Sequence, residues 1–261
     1  MGPHAARWIP ADLLFPLRGR WVVLQNLSSA DAPELACAWG PSLFRYMLDW
    51  PDDATVEGTR AYLRRLLRRP GIRAYVIRCR QELGACPENP SGTRDRGPQK
   101  SRSDFWGGLD HRAPLRSRTF PDKGLVAGIT GLVDLRPVQR CAEVCCTLVL
   151  PAYRATVVFP ETMLLLLQLA FDTLRLPRVR WRTSAANVAA RAALHKLGAS
   201  VEAFQPAADV ARDGTVHDTV VYRLLHTEWP ATRQRLLQRC TTARVPLVST
   251  PTADPVAWHR P

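Results

Sequence analysis

Two rhythms of apolar and polar positions run along this chain. Alternation over residues 72–79 reads as a strand, and short apolar runs at 21–24, 125–135, 143–150, 179–183, 201–204 and 216–225 read as further strands. Helical spacing appears at 55–69, where Ala61, Leu63, Leu66 and Leu67 are apolar, Thr55 stands at the start and Pro70-Gly71 at the stop. A helix over 31–39 has Ser28, Ser29 or Asp31 available as its cap. The most apolar helix covers 161–174, with Pro160 at its favoured first position, and Gly198 closes a helix over 187–197. Strands and helices thus alternate, which predicts an α/β (α+β) domain with helices packed on a mixed central sheet.

The pattern breaks in three places. Residues 1–15 read as a loose arm, and 231–261 as a tail that begins helical and basic and turns Pro-rich. Between them, 81–123 is rich in Pro, Gly, Ser and Arg, too long and polar for a loop inside a core, and reads as an insertion between two strands. The domain proper is therefore expected over 16–230. At 261 residues and 46% hydrophobic composition, such a chain builds a full core without a metal or disulfide staple. No apolar run approaches the roughly 20 residues of a membrane span, and no apolar leader is visible, so the chain reads as cytoplasmic. Its seven cysteines include Cys141, Cys145 and Cys146, whose spacing is not that of zinc ligands; reduced, half-buried strand thiols are expected, and no metal.

Charge alters the picture more than size does. Thirty-six Lys and Arg stand against 23 Asp and Glu, a net +13. Eight arginines and no acid lie between Arg60 and Arg80, and six further positive residues and no acid lie from Arg175 to Lys196. Two local clusters suit an anionic ligand better than a polybasic tail does.

Residues in the second half fall in a recognisable order. Glu143-Val144, Pro151-Ala152-Tyr153, Pro160-Glu161, Arg178-Val179-Arg180-Trp181, Asn187, Leu197-Gly198-Ala199, His217-Asp218-Thr219 and Glu228-Trp229-Pro230 follow one another, after Leu17-Arg18-Gly19-Arg20 and Phe44-Arg45-Tyr46-Met47 in the first half. Together they resemble the GNAT superfamily of acyl-CoA-dependent N-acetyltransferases, in its ribosomal-protein-alanine-acetyltransferase-like branch. The resemblance covers about residues 16–230 without the insertion. It implies acetyl-CoA as co-substrate, held where two parallel strands splay, here 143–150 and 179–183. Cys146, Thr147 and Leu148 would line it from the first of these strands. The loop Arg154, Ala155, Thr156, Val157, Val158 and Phe159 would receive the pyrophosphate on its amides. Asn187 matches the asparagine that binds the pantetheine arm, and is equally placed to be a helix N-cap.

Glu143 matches the family glutamate and is the candidate general base for an amine attacking the thioester; its bland alternative is an ion pair with a neighbouring arginine. Tyr46, Asp218 and Tyr222 are the candidate acceptor-side residues. The positions that supply a thiolate-side donor in the family hold Ala190 and Leu194, neither of which can donate, and His195 is one residue out of place. Val157 and Phe159 replace small residues of the phosphate loop, and Pro160 removes an amide. The leading expectation is acetyl transfer to a primary amine, a small molecule or a protein N-terminus, by a monomer or homodimer. A catalytically degenerate member that binds acyl-CoA or a protein partner is the second reading. A basic nucleic-acid or ribosome-associated module is the third, and no nucleic-acid motif supports it.

Overall fold

The computed structural model describes residues 16–80, 124–136 and 140–243. The expected arm at 1–15, the insertion at 81–123 and the Pro-rich end of the tail lie outside them. Eight strands form one sheet: β1 (Leu17–Arg18), β2 (Val22–Asn26), β3 (Arg73–Cys79), β4 (Leu125–Arg136), β5 (Cys141–Val149), β6 (Arg178–Ser184), β7 (Ser200–Val210) and β8 (Val216–Leu225). Their order is β1-β2-β3-β4-β5-β6-β8-β7. Only β5 and β6 run parallel; the other neighbours are antiparallel.

Among the described residues five helices flank the sheet: α1 (Ala32–Ala38), α2 (Val56–Leu67), α3 (Val158–Leu167), α4 (Val188–Leu197) and α5 (Trp229–Thr242). Helices α1 and α2 pack together, with α1 against β4, while α3 lies over β1 and β2 and carries α5. Neighbouring residues of β3 separate the two faces. Arg78 bonds Asp31 and Glu34 beside and within α1, while the Cys79 thiol is pushed up to about 11, first by burial and then by the Glu161 carboxylate of α3. Fully buried Leu24, Leu63, Tyr75, Ile77, Ile129 and Phe171 belong to the core between these layers.

Local signals account for most boundaries. The Thr55 side chain caps α2 by accepting from Gly58 N–H at 3.0 Å, and Gly198 ends α4 at φ +96°, a conformation that favours glycine. The residue that caps the turn before α1 is Ser28, joined to Asp31 in a reciprocal capping box. Helix α3 begins earlier than the sequence suggests, so Pro160 sits inside its first turn, where no amide is needed. It then widens into a π-helical turn over Gln168–Thr173. Strand β7 extends past the expected 201–204 to Val210 and includes Pro206. Because β7 is the last strand of the sheet, that missing N–H costs no ladder bond on its outer edge. The boundary expected after Pro230 falls inside α5, whose Trp229 and Leu236 are buried.

Arg78 is the most buried charge on the sheet. Its side chain is 3% exposed and donates to Glu34 at 2.6 Å, Asp31 at 2.9 Å and the Gly124 carbonyl at 3.1 Å. Arg78→Met is expected to cost about 3 kcal/mol, the lower end for breaking a buried pair, since the stranded Glu34 is 42% exposed and rehydrates. Thermal unfolding should then fall by roughly 6–12 °C; an unchanged midpoint would show that the pair contributes nothing.

Candidate functional site

The parallel pair β5 and β6 is the centre of the site. Its register runs from Cys141 opposite Arg178 to Val144 opposite Trp181 and then stops. Beyond Val144, β5 continues paired to β4 alone, and β6 continues to Ser184 paired to β8 alone. The strands splay, and the facing edge of each is left without a strand partner. A bulge drives the separation. Ile129 pairs with Leu148 and Gly131 with Cys145, so Thr130 opposes both Cys146 and Thr147, and Cys146 takes φ +44°. Thr130 and Thr147 join their hydroxyls at 2.8 Å across this bulge, and Leu148 is buried.

The expected phosphate loop follows directly. Pro151–Tyr153 make one 3-10 turn, Arg154 Nε donates to the Val149 carbonyl at 3.2 Å, and Ala155 takes φ +57°. The Thr156 hydroxyl donates to the Tyr153 carbonyl at 2.6 Å and accepts from Val158 N–H at 3.3 Å. Val157 and Val158 turn inward and are fully buried, so they supply backbone and core rather than surface. This loop, Phe159 and Pro160 form one wall of a groove of about 620 Å³. The other walls are Ala189, Ala192, Ala193 and Lys196 of α4, and Arg239 and Thr242 at the end of α5. Arg239 Nη1 is buried and meets no partner among the described residues. An apolar alanine stripe, the start of a helix and three cationic side chains fit a ligand with an apolar arm and phosphate groups.

Glu143 stands at the mouth of the splay, paired in register with Arg180. It is half-buried, and burial raises its carboxyl above the ordinary value; Arg182 and Arg180 oppose that rise, while Asp134 and Asp209 add to it. Among the described residues no ion pair or side-chain hydrogen bond engages its carboxylate, unlike Asp209. Burial works against the Asp209 charge, but bonds from Thr219 (2.5 Å) and Arg182 (2.9 Å) hold that carboxyl below its usual value. A free carboxylate whose proton affinity is raised suits proton abstraction better than charge pairing.

The remaining expected residues are spread around this centre. Asn187 caps α4, its side-chain oxygen accepting from Ala190 N–H at 3.1 Å. Asp218 accepts from Ala207 N–H at 2.8 Å and thereby shapes the irregular β7–β8 pairing. Tyr222 is fully buried, its hydroxyl 3.3 Å from His195 Nε2 and 3.4 Å from Arg191 Nε. Tyr46 lies in the turn after Pro41–Phe44, half-buried, with the Arg45 guanidinium 5.5 Å from its ring centre. Leu194 points into the core. Part of the basic face of α2 is paired: Arg65 bonds Asp49, Asp52 and the Trp50 carbonyl, and Glu57 pairs with Arg60 and Arg64. In the second cluster Arg178 pairs with Glu202 and Arg182 with Asp209. Lys196 closes the second basic cluster read from the sequence, whereas Arg239 and Thr242 were not legible as site residues; the basic helical start of the tail was the one available signal for them.

Residues 22–200 match the profile of the acetyltransferase (GNAT) domain, and the chain belongs to that family. No curated protein matches the sequence. A T. thermophilus protein assigned as an acetyltransferase has 25% identity and a TM-score of 0.66, over 86% of this chain and 96% of its own. A Vibrio cholerae protein assigned as a ribosomal-protein-serine acetyltransferase has 14% identity and a TM-score of 0.54, over 81% and 97%. The spermidine N-acetyltransferase of Vibrio cholerae, solved with CoA and spermine, has 12% identity and a TM-score of 0.54, over 81% and 99%. At those last two identities the likeness is one of fold. Among the described residues no helix is long and apolar enough to cross a membrane, and no group of three or more His, Cys, Asp or Glu could hold a metal ion.

Proposed function

We propose that this protein transfers an acetyl group from acetyl-CoA to a primary amine, on a small molecule or a protein N-terminus, by direct attack. The observation that carries the reading is the splay of β5 from β6 opening beside a groove lined by Arg154, Lys196 and Arg239. Acetyl-CoA, when bound, supplies the activated thioester. Arg154, Lys196 and Arg239 would hold its phosphates beside the start of α3, the alanines of α4 would border its apolar arm, and Glu143 would take the amine's proton, directly or through water. Asn187 keeps its cap role and has its amide N–H groups to offer the pantetheine.

Titration calorimetry with acetyl-CoA and CoA tests the site. Saturable micromolar binding is expected, and Arg239→Ala should weaken it at least about tenfold, the scale of a lost hydrogen bond to a charged group. No binding by folded, monodisperse protein would overturn the reading. Thiol release in the presence of a polyamine and of peptides with N-terminal alanine or serine then screens for the acceptor class. The branch resembled in sequence points to a protein N-terminus as the first acceptor to try.

A second reading rests on the burial of Leu194 and on Ala190, which leave the start and middle of α4 without a donor for the thiolate. A family member that binds acyl-CoA without turnover would show the calorimetric signal, sensitivity to Arg239→Ala, and no thiol release with any amine.

A further inference from the structure

Successive side chains of a regular strand point to opposite faces, so adjacent cysteines in a sheet do not normally meet. Cys145 and Cys146 do. The bulge in β5 holds Cys146 at φ +44°, and its sulfur lies 3.1 Å from that of Cys145 in a thiol–thiol hydrogen bond. Gly131 lies directly across from Cys145 on β4 and brings no side chain against the pair. Tyr62 and Arg69 of the α2 side and Glu143 on the same strand face the two sulfurs closely enough to act on them electrostatically. Both residues are half-buried, and both are free thiols. The two sulfurs have no third ligating side chain among the described residues, so a chelate is not built here, whereas a two-electron, two-sulfur reaction needs nothing further.

We infer that Cys145 and Cys146 form a reversible oxidation site, closed to a disulfide between adjacent residues by a hydroperoxide. The Cys146 thiolate attacks one peroxide oxygen, the O–O bond breaks, and Cys146 becomes a sulfenic acid as hydroxide leaves and takes up a proton. The Cys145 sulfur then attacks that sulfenic sulfur, the S–O bond breaks, the S–S bond forms and water leaves with the Cys145 proton. Two thiols and one hydrogen peroxide thus give one disulfide and two waters, with sulfur losing two electrons and peroxide gaining them. The assignment of roles follows from the surroundings. Cys145 holds its proton well above the ordinary thiol range, through the hydrogen bond with Cys146 and through burial, so it is the thiol placed, 3.1 Å away, to donate to the Cys146 sulfur as that sulfur attacks. Adjacent Cα atoms stand about 3.8 Å apart, closer than an ordinary disulfide spans, so the bond is readily returned to two thiols by a small dithiol.

The test uses the full chain carrying Cys37→Ser and Cys86→Ser, so that the exposed Cys37 and the remaining cysteine outside the described residues stay out of the reading. Hydrogen peroxide is added in slight excess, the protein is alkylated and cleaved after glutamates, and the peptide over residues 144–161, which holds Cys145 and Cys146 and no other cysteine, is weighed. The expected peptide is unalkylated and two hydrogens lighter, and it regains both alkylatable thiols after dithiothreitol. In the same background, Cys145→Ser should leave a sulfenic acid on Cys146 that a dimedone probe captures, and Cys146→Ser should leave Cys145 reduced. Two alkylatable thiols in that peptide after peroxide, or sulfinic acid on either cysteine without a disulfide stage, would overturn the assignment. None of these readouts depends on acetyl transfer.

Discussion

Glu143→Gln is expected to lower acetyl transfer to the best amine acceptor about 100-fold, the lower range for loss of a positioned general base. Affinity for acetyl-CoA should stay within twofold or so, because the groove that would bind phosphates is walled by other residues. The pH profile supplies the sharper test. Burial raises the Glu143 carboxyl above its ordinary value, so the carboxylate forms only above that raised value, and the acidic limb of the rate profile should be displaced upward accordingly. The glutamine variant should lose that limb. Stability gives an independent control with a definite sign. A carboxyl that holds its proton more tightly folded than unfolded makes the folded state less stable as pH rises through the interval between the two values. At neutral pH, Glu143 therefore costs stability, and the glutamine variant should unfold at the same temperature or higher. A fall in rate accompanied by a fall in melting temperature would assign Glu143 to the structure instead.

Gly128→Ala should be the most damaging single methyl group in the sheet. Gly128 takes φ +154° on β4, and a Cβ there would lie 1.9 Å from the Leu148 carbonyl oxygen and 3.0 Å from its carbon. Both obstacles are backbone of β5, next to the bulge, and neither can move without breaking the β4–β5 pairing. The cost should exceed about 4 kcal/mol, the range kept for strain and overpacking that cannot relax. Chemical denaturation would show it as a displaced midpoint, or the variant would fail to accumulate in folded form. A midpoint within measurement error of the parent would mean that β5 tolerates a shift there, and that the geometry of the splay is softer than its register suggests.

These two residues also mark how far the sequence could be read. Glu143 was legible as a candidate because its neighbours along the chain carry the family pattern, and the strand that holds it stands out as a short apolar run. Gly128 was not, because its importance is a contact between backbones that no local pattern encodes. The same division runs through the rest. Thr55, Pro160 and Gly198 announced helix ends by local chemistry, and each lies at or within a residue or two of an observed terminus. The paired state of Arg65 on α2 depends on Asp49 and Asp52, which the fold brings back from an earlier turn. A charge run read along the chain therefore overstated the free positive charge. Arg239 belongs to the groove only because α5 packs on α3, a tertiary fact hidden in a stretch whose composition reads as a tail.

The strand order β6-β8-β7 has a consequence for how the chain is made. Among the described residues the last strand to leave the ribosome, β8, is an interior strand, while β7, made before it, ends on the rim. Until residue 225 has emerged, β6 presents an open edge and β7 has no sheet to join, so this half of the protein cannot assemble in the order of synthesis. The β7–β8 hairpin, closed by its tight turn at Gly214, would dock as a unit onto a waiting β6, and a chain arrested before that point would carry an exposed strand edge beside an unfinished groove.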